Sequence, residues 1–264
     1  MKFYTSFTLA TATCLTNRAC SYGDGVFETI LVKNHDMPLW ALHYHRLTES
    51  LVRLNIVPIA KEELYAQILA MIDDDDRYVA KLMVYRDGQR RGYSSDSNVA
   101  QYVITVNPST NTPNNQELAI SQIKLAKQPS LAGLKHLNRL EQVLAAQELT
   151  NSPYNDALML DSKGHVIETI SKNIVLVRKH KLYTPKLNKC GVYGVALRWL
   201  QAQGIQIKWK KIEFKSLSKY DGLMVCNSIN GFAAITEIEN KLTFNKDLAI
   251  IKKIQQKWSD QVEI

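Results

Sequence analysis

The 264-residue chain has little of what anchors several protein classes. Its four cysteines, Cys14, Cys20, Cys190 and Cys226, show no CxxC spacing and no paired framework. That argues against a zinc ribbon or a disulfide scaffold and favours a reduced, cytoplasmic compartment. No apolar run approaches membrane-spanning length, and the first twelve residues are neither long nor apolar enough for a secretion signal, so no membrane partner is expected. GxGxxG and GK[ST] loops are absent, which removes the usual dinucleotide and P-loop readings. No metal site or Ser/His/Asp arrangement can be argued from spacing. His43 and His45, two apart, point to different faces of a helix and are read as structural. The acidic run Asp73–Asp76 lacks the alternating ligands and glycine of a calcium loop, so it reads as a solvated helix end. There is no internal repeat and no low-complexity segment.

What is present is a globular composition. Hydrophobic residues make up 45% and charged residues 22%, enough for one large or two modest cores. The net charge is +8. Its lysines are scattered rather than blocked with aromatics, which favours small anionic ligands over nucleic acid.

Along the chain, residues 1–20 are rich in Thr and Ala and carry no clear period. Gly23-Asp24-Gly25 predicts a tight turn and Val26 to Val32 a strand. Leu42 through Leu54 predicts an amphipathic helix with Leu42, Leu47, Leu51 and Leu54 on one side, where Arg46 alone is an ordinary exposed arginine. Val79 to Tyr85 and Val99 to Val106 predict strands around a basic loop, Arg86 to Ser94. Residues 107–117 have the Pro, Asn, Ser and Thr content of a linker. Strands follow at Leu118–Leu125 and Ala157–Leu160, then a hairpin turn over 161–164 and an apolar run from Val166 to Val177 interrupted at Glu168 to Asn173. Leu182–Pro185 and Leu223–Cys226 predict two more strands. Gly191 to Gly194 lead into a helix whose first backbone N–H groups suit an anion. A basic amphipathic helix over about 246–262 closes the chain and only packs.

One stretch organises the rest: residues 133–144, GLKHLNRLEQVL. Leu134, Leu137, Leu140, Val143 and Leu144 recur at helical spacing, which predicts a helix with those five against a core. Lys135 lies off that stripe, and taken alone is a solvated surface lysine. The whole stretch resembles the segment carrying the Schiff-base lysine of the fold-type IV pyridoxal-phosphate enzymes. These are the branched-chain aminotransferases, D-amino acid aminotransferases and aminodeoxychorismate lyases. The string KHLNRLEQVLAAQ is most similar to the lyase branch. YGDGVFETI at 22–30, the H-x-x-R-L of His43 to Leu47, the RGYS at 91–94 and the E-T-I-S-K-N of 168–173 resemble further segments of the same family in the same order.

The resemblance spans residues about 21–240 and implies a two-domain, mixed α/β fold of the D-amino acid aminotransferase type. The domains expected are 1–108, a linker at 109–117, and 118–264, with pyridoxal 5′-phosphate between them and a homodimer as the assembly. It implies Lys135 as the catalytic lysine, whose amine holds the cofactor and carries the substrate's proton. Glu168 would face the pyridine nitrogen. Arg46, Asn173, Val195, Ala196 and Ser228 would serve the cofactor, the first of them at its phosphate because a guanidinium offers a fixed plane of donors. Many relatives carry threonine where this chain has Ala196. Tyr22, Thr29, Arg91 and Tyr93 would lie on the substrate side. The activity implied is release of pyruvate from aminodeoxychorismate to leave 4-aminobenzoate, a folate precursor. Transamination of D- or branched-chain amino acids is the alternative that the same apparatus permits.

Overall fold

The computed structural model describes residues 1–5, 17–74, 76–88, 92–109 and 117–262. The Asn/Pro-rich linker at 110–116 and most of the N-terminal twenty residues lie outside them, as does Arg91. The chain divides into two compact units: Met1–Thr110 with Lys135–Asn138, and Asn111–Leu134 with Arg139–Ile264.

The first unit is one antiparallel sheet with helices on it. Its strands are β1 (Lys2–Thr5), β2 (Gly25–Val32), β3 (Tyr78–Arg86) and β4 (Ala100–Pro108), in the order β1-β4-β3-β2. Helices α1 (Arg18–Tyr22), α2 (Trp40–Arg53) and α3 (Lys61–Leu69) complete it. Alternation along β2 sends Val26, Glu28, Ile30 and Val32 to the buried face. There they meet Trp40, Leu47 and Leu51 of α2 and Leu64 and Ile68 of α3. The GDG turn works through α1: Asn17 Oδ1 accepts from the Cys20 N–H at 2.8 Å, and Gly23 ends the helix at φ 60°, where a side chain would strain. A Cβ on Gly23 would also lie 2.3 Å from Asn138 Oδ1.

The second unit carries two five-stranded sheets and three helices. One sheet runs β14-β13-β5-β6-β7, from β5 (Glu117–Leu125), β6 (Ala157–Asp161), β7 (Val166–Thr169), β13 (Glu237–Ile238) and β14 (Leu242–Thr243). The other runs β10-β9-β8-β11-β12, from β8 (Asn173–Arg178), β9 (Lys181–Pro185), β10 (Ile207–Lys210), β11 (Gly222–Asn227) and β12 (Gly231–Ile235). Both are mixed: β5–β6, β13–β5 and β9–β10 are parallel pairs. Between them lies a core of Leu118, Leu158, Val166, Ile174, Leu176, Leu223 and Val225. Helices α4 (Leu140–Gln147), α5 (Val195–Ala202) and α6 (Ala249–Val262) pack around the sheets. Trp258 of α6 seals against Trp199 and Phe232, with ring centroids 4.9 and 5.3 Å away.

The largest departure from the sequence pattern falls on the organising stretch. Helix α4 starts only at Leu140, and Lys135–Asn138 is extended beside β2. The Phe27 N–H donates to the Lys135 carbonyl at 2.9 Å and the Leu137 N–H to the Gly25 carbonyl at 3.0 Å. Those bonds replace the i→i−4 bonds a helix would need. The apolar stripe divides accordingly: Leu134 is 3% exposed, whereas Leu140, Val143 and Leu144 are 68%, 49% and 41% exposed.

Candidate active site

In the first unit, Glu28 collects one cation and one neutral donor as partners. It sits on the apolar face of β2 and is 2% exposed. Arg46 Nε donates to Glu28 Oε1 at 2.8 Å and Arg46 Nη2 donates to Oε2. His43 Nδ1 lies 2.6 Å from Oε2 and must be the donor, because an ionised carboxylate only accepts. Burial alone would raise the Glu28 carboxyl; Arg46, then His43, overrides it and holds it at about 2. Burial pushes the His43 imidazole below its ordinary range, and the neighbouring charges of Arg46 and Lys135 push the same way, against Glu28. His43 is therefore a neutral ring clamped to a carboxylate. Arg46 is not the exposed helix arginine that the leucine pattern allows: it is 4% exposed and lies on the same buried side as His43 and Leu47.

Lys135 belongs to this unit too. Its Nζ stands 4.2 Å from the centroid of Phe27, and Lys81 Nζ stands 5.2 Å from the same ring. Thr29 shares the Phe27 face of β2, opposite Glu28, and is paired in register with Lys81. Tyr22 and Tyr93 meet edge to face with centroids 5.6 Å apart, and the Tyr22 hydroxyl accepts from the Gly92 N–H at 2.9 Å. Arg18 holds that loop: it is 3% exposed, donates to the Tyr93 carbonyl at 2.9 Å and pairs with Asp24 at 2.8 Å. Tyr93 itself is 91% exposed.

In the second unit, Glu168, Asn173 and the start of α5 form one hydrogen-bonded chain. The Val192 N–H donates to Glu168 Oε2 at 2.8 Å, and the Gln142 amide lies 3.4 Å from Oε1. Asn173 Nδ2 donates to the Val192 carbonyl at 2.8 Å, while its Oδ1 accepts from the Gly194 N–H at 3.0 Å. A Cβ on Gly194 would lie 2.0 Å from that oxygen, so any larger residue there would have to displace the Asn173 side chain. Glu168, on β7, is 4% exposed. The turn from β7 to β8 is tied by Asp156, which accepts from Thr169 Oγ1 at 2.9 Å and Lys172 Nζ at 2.8 Å. Val195 and Ala196 open α5, are buried, and have backbone N–H groups that meet no acceptor among the described residues; no side chain caps the helix. Two buried N–H groups at a helix N-terminus are a donor set for an anion. Ser228, 8% exposed, follows β11, next to the Asn227 side chain that caps Ile229 and Asn230.

Each expected position is thus found with its unit, except Arg91, which lies outside the described residues. Glu28, His43, Arg18 and Gln142 escaped the sequence reading as functional candidates. Glu28 did carry a signal: a carboxylate at the inward position between Val26 and Ile30 needs a buried cation. Arg18 carried none, lying in a stretch without period.

The mixed sheets, the strand-edge lysine and the buried, hydrogen-bonded glutamate define a class before any individual. The chain belongs to the class IV aminotransferase family, matching it over residues 25–238. Among individual proteins it is similar to the aminodeoxychorismate lyase of Vibrio harveyi, 33% identical over 87% of this chain and 90% of that one. The crystal structure of 4-amino-4-deoxychorismate lyase from Pseudomonas aeruginosa superposes with a TM-score of 0.87 at 30% identity, covering 100% of both chains. The branched-chain-amino-acid aminotransferase of P. aeruginosa is 24% identical over 91% of this chain and 85% of its own.

Proposed function

We propose that this chain is a pyridoxal-phosphate-dependent aminodeoxychorismate lyase. The observation that carries the reading is similarity over 87% and 100% of this chain to two lyases, at 33% and 30% identity, against 24% for the P. aeruginosa aminotransferase. The residues present fit the cofactor. A primary amine, a buried carboxylate and a helix start with two unmatched buried N–H groups are the donor set that an aldehyde, a pyridine nitrogen and a phosphate ask for. Lys135 would hold the cofactor covalently, Glu168 its ring nitrogen, and Val195, Ala196, Ser228 and Arg46 its phosphate, with Asn173 keeping Gly194 and Val192 in place. When bound, the cofactor supplies an electron sink for a carbanion at the amine-bearing carbon.

The chain's own residues supply the rest. Lys135 takes the proton from the carbon bearing the substrate's amino group. Glu168 keeps a negative charge where a protonated nitrogen needs it. Glu28, itself bonded by neutral His43, fixes Arg46 by accepting from its Nε and Nη2, so the position of Arg46 is set before any phosphate arrives. Cleavage of the ether C–O bond releases the enolpyruvyl group as pyruvate, and the ring left behind becomes aromatic 4-aminobenzoate. Tyr22, Thr29, Arg91 and Tyr93 are the substrate-side groups of the proposal. A homodimer is part of the reading, supported by the exposed apolar Leu140, Val143 and Leu144 on α4. So are a cytoplasmic setting, supported by the free thiols of Cys20, Cys190 and Cys226, and a folate-pathway role, supported by the similarity to the lyases. No helix among the described residues is long and apolar enough to cross a membrane.

A lyase needs no keto-acid acceptor, whereas a transaminase must pass the amine to one. The test is therefore formation of 4-aminobenzoate and pyruvate from aminodeoxychorismate with no keto acid added, compared through kcat/KM with D-alanine or leucine plus 2-oxoglutarate. A ratio favouring an amino-acid donor assigns an aminotransferase instead. Borohydride reduction should fix the cofactor on Lys135, and Lys135→Ala should abolish turnover because the covalent link and the proton carrier vanish together. Labelling of another lysine would remove Lys135 from its role.

A further inference from the structure

The surplus of positive charge has no part in the proposed reaction, yet much of it converges on one place. The second unit encloses a cavity of about 280 Å³ between β7, the segment after β9 and the residues after β10. Five lysines line it, against one carboxylate, Asp161. That carboxylate is already matched: Lys127 Nζ pairs with it at 2.9 Å, and His165 Nδ1 donates to it at 2.8 Å. Burial would raise Asp161, but the backbone N–H of His165, Lys127 and the His165 ring hold it well below the usual carboxylate range. Of the other four, Lys163, Lys186 and Lys189 have no ion-pair partner within 4 Å among the described residues, and Lys211 acts on the Glu213 carboxylate only from beyond that distance.

Lys163, Lys186, Lys189 and Lys211 are exposed residues at the rim of one small cavity, where their like charges face solvent. Beneath them the walls are apolar. Val166, Ile167 and Ile212 are at most 5% exposed, and burial, then Asp161 and Glu168, push the neighbouring Cys190 thiol up to about 11, so it is neutral too. Glu168, the carboxylate assigned to the cofactor ring, is not among the residues that line this cavity. An apolar floor with a cationic rim selects an occupant with the same division.

We propose that this cavity is a second ligand site, for a small organic polyanion whose apolar body lies on Ile167 and Ile212 and whose acidic groups meet Lys163, Lys186, Lys189 and Lys211. The acidic groups are those of a phosphate ester or of a polycarboxylate; the chemistry is shared and the experiment separates the two. The site does not depend on the reaction proposed above.

Purified holoenzyme is titrated by calorimetry with phenyl phosphate and, separately, with benzene-1,3,5-tricarboxylate. Saturable binding of one probe to one site per chain is expected, and the tighter probe identifies the acid group. Lys186→Glu/Lys211→Glu should weaken that probe roughly tenfold, the product of reversing two exposed charges. Lys163→Glu, on the hairpin turn, should weaken it to a lesser degree and serves if the double variant does not fold. Lys253→Glu/Lys257→Glu on α6 changes net charge equally and should leave binding unchanged. The proposal is overturned if neither probe saturates at millimolar concentration, or if the α6 variant loses as much affinity as the cavity variants.

Discussion

Glu28 and Glu168 are two buried glutamates on two strands, and they are held in opposite ways. Glu28 is clamped by a guanidinium and an imidazole inside a helix-on-sheet core. Glu168 accepts from dipoles, the Val192 N–H and the Gln142 amide. A carboxylate matched by a charge from its own core is part of what keeps that core folded, and removing one partner strands the other. A carboxylate cradled by backbone and amide dipoles can be neutralised with less damage, and its charge remains directed at a ligand. The difference separates a carboxylate clamped inside its unit from the one proposed to serve the chemistry.

The comparison breaks most clearly at Arg46. Arg46→Met leaves Glu28 buried without its main cation and should lower stability by about 3–5 kcal/mol. Adding Glu28→Gln should recover part of that loss, since the two residues are in direct contact. Denaturant unfolding of the two variants checks it; a single variant as stable as wild type would end the distinction. If the single variant folds, its weaker retention of cofactor measures the phosphate role separately.

Acid sharpens the same contrast. Glu28 is lowered in the fold, from an ordinary 4.5 to about 2. Its contribution is therefore fully present above pH about 4.5 and is lost as pH falls towards 2, amounting to about 3 kcal/mol. His43, also lowered, acts with the same sign from below its ordinary 6.5, because the unfolded chain binds that proton more readily. Melting temperature against pH should fall on the acid side, and Glu28→Gln should flatten the fall below pH 4.5. An identical acid profile in the variant would assign the transition to other carboxylates, Asp161 first.

Glu168→Gln should do the reverse of Arg46→Met. Turnover should drop on the order of 10²-fold while the melting temperature changes little, because the amide keeps a hydrogen bond from Val192 but loses the charge. Unchanged turnover would place Glu168 outside the reaction. The smallest effect is expected at Gly194. A Cβ there meets Asn173 Oδ1 at 2.0 Å, so Gly194→Ala should cost roughly 1 kcal/mol in stability and loosen the start of α5. Unaltered stability and cofactor affinity would show that Asn173 swings aside freely.

Much of this was legible in the chain. The positions of β2, β3, β4 and β6 follow from alternation and turn residues, since the period of two and the glycine and aspartate breaks act over a few residues. The family and the order of its motifs were equally legible, because those motifs are contiguous strings. What periodicity misjudged was the organising stretch itself. GLKHLNRLEQVL has a helical stripe, but Lys135–Asn138 takes its hydrogen bonds from a strand more than a hundred residues earlier, and only from Leu140 does the helix win. A local pattern has no means of weighing a distant partner, and tertiary packing routinely overrides propensity of this size. The same reason hid the Glu28 clamp, which unites β2 with two positions of α2, and the hold of Arg18 on the loop at 92–94. The charge total was in the sequence from the start; that Lys163, Lys186, Lys189 and Lys211 surround one cavity was decided by three separate strand ends arriving at the same place.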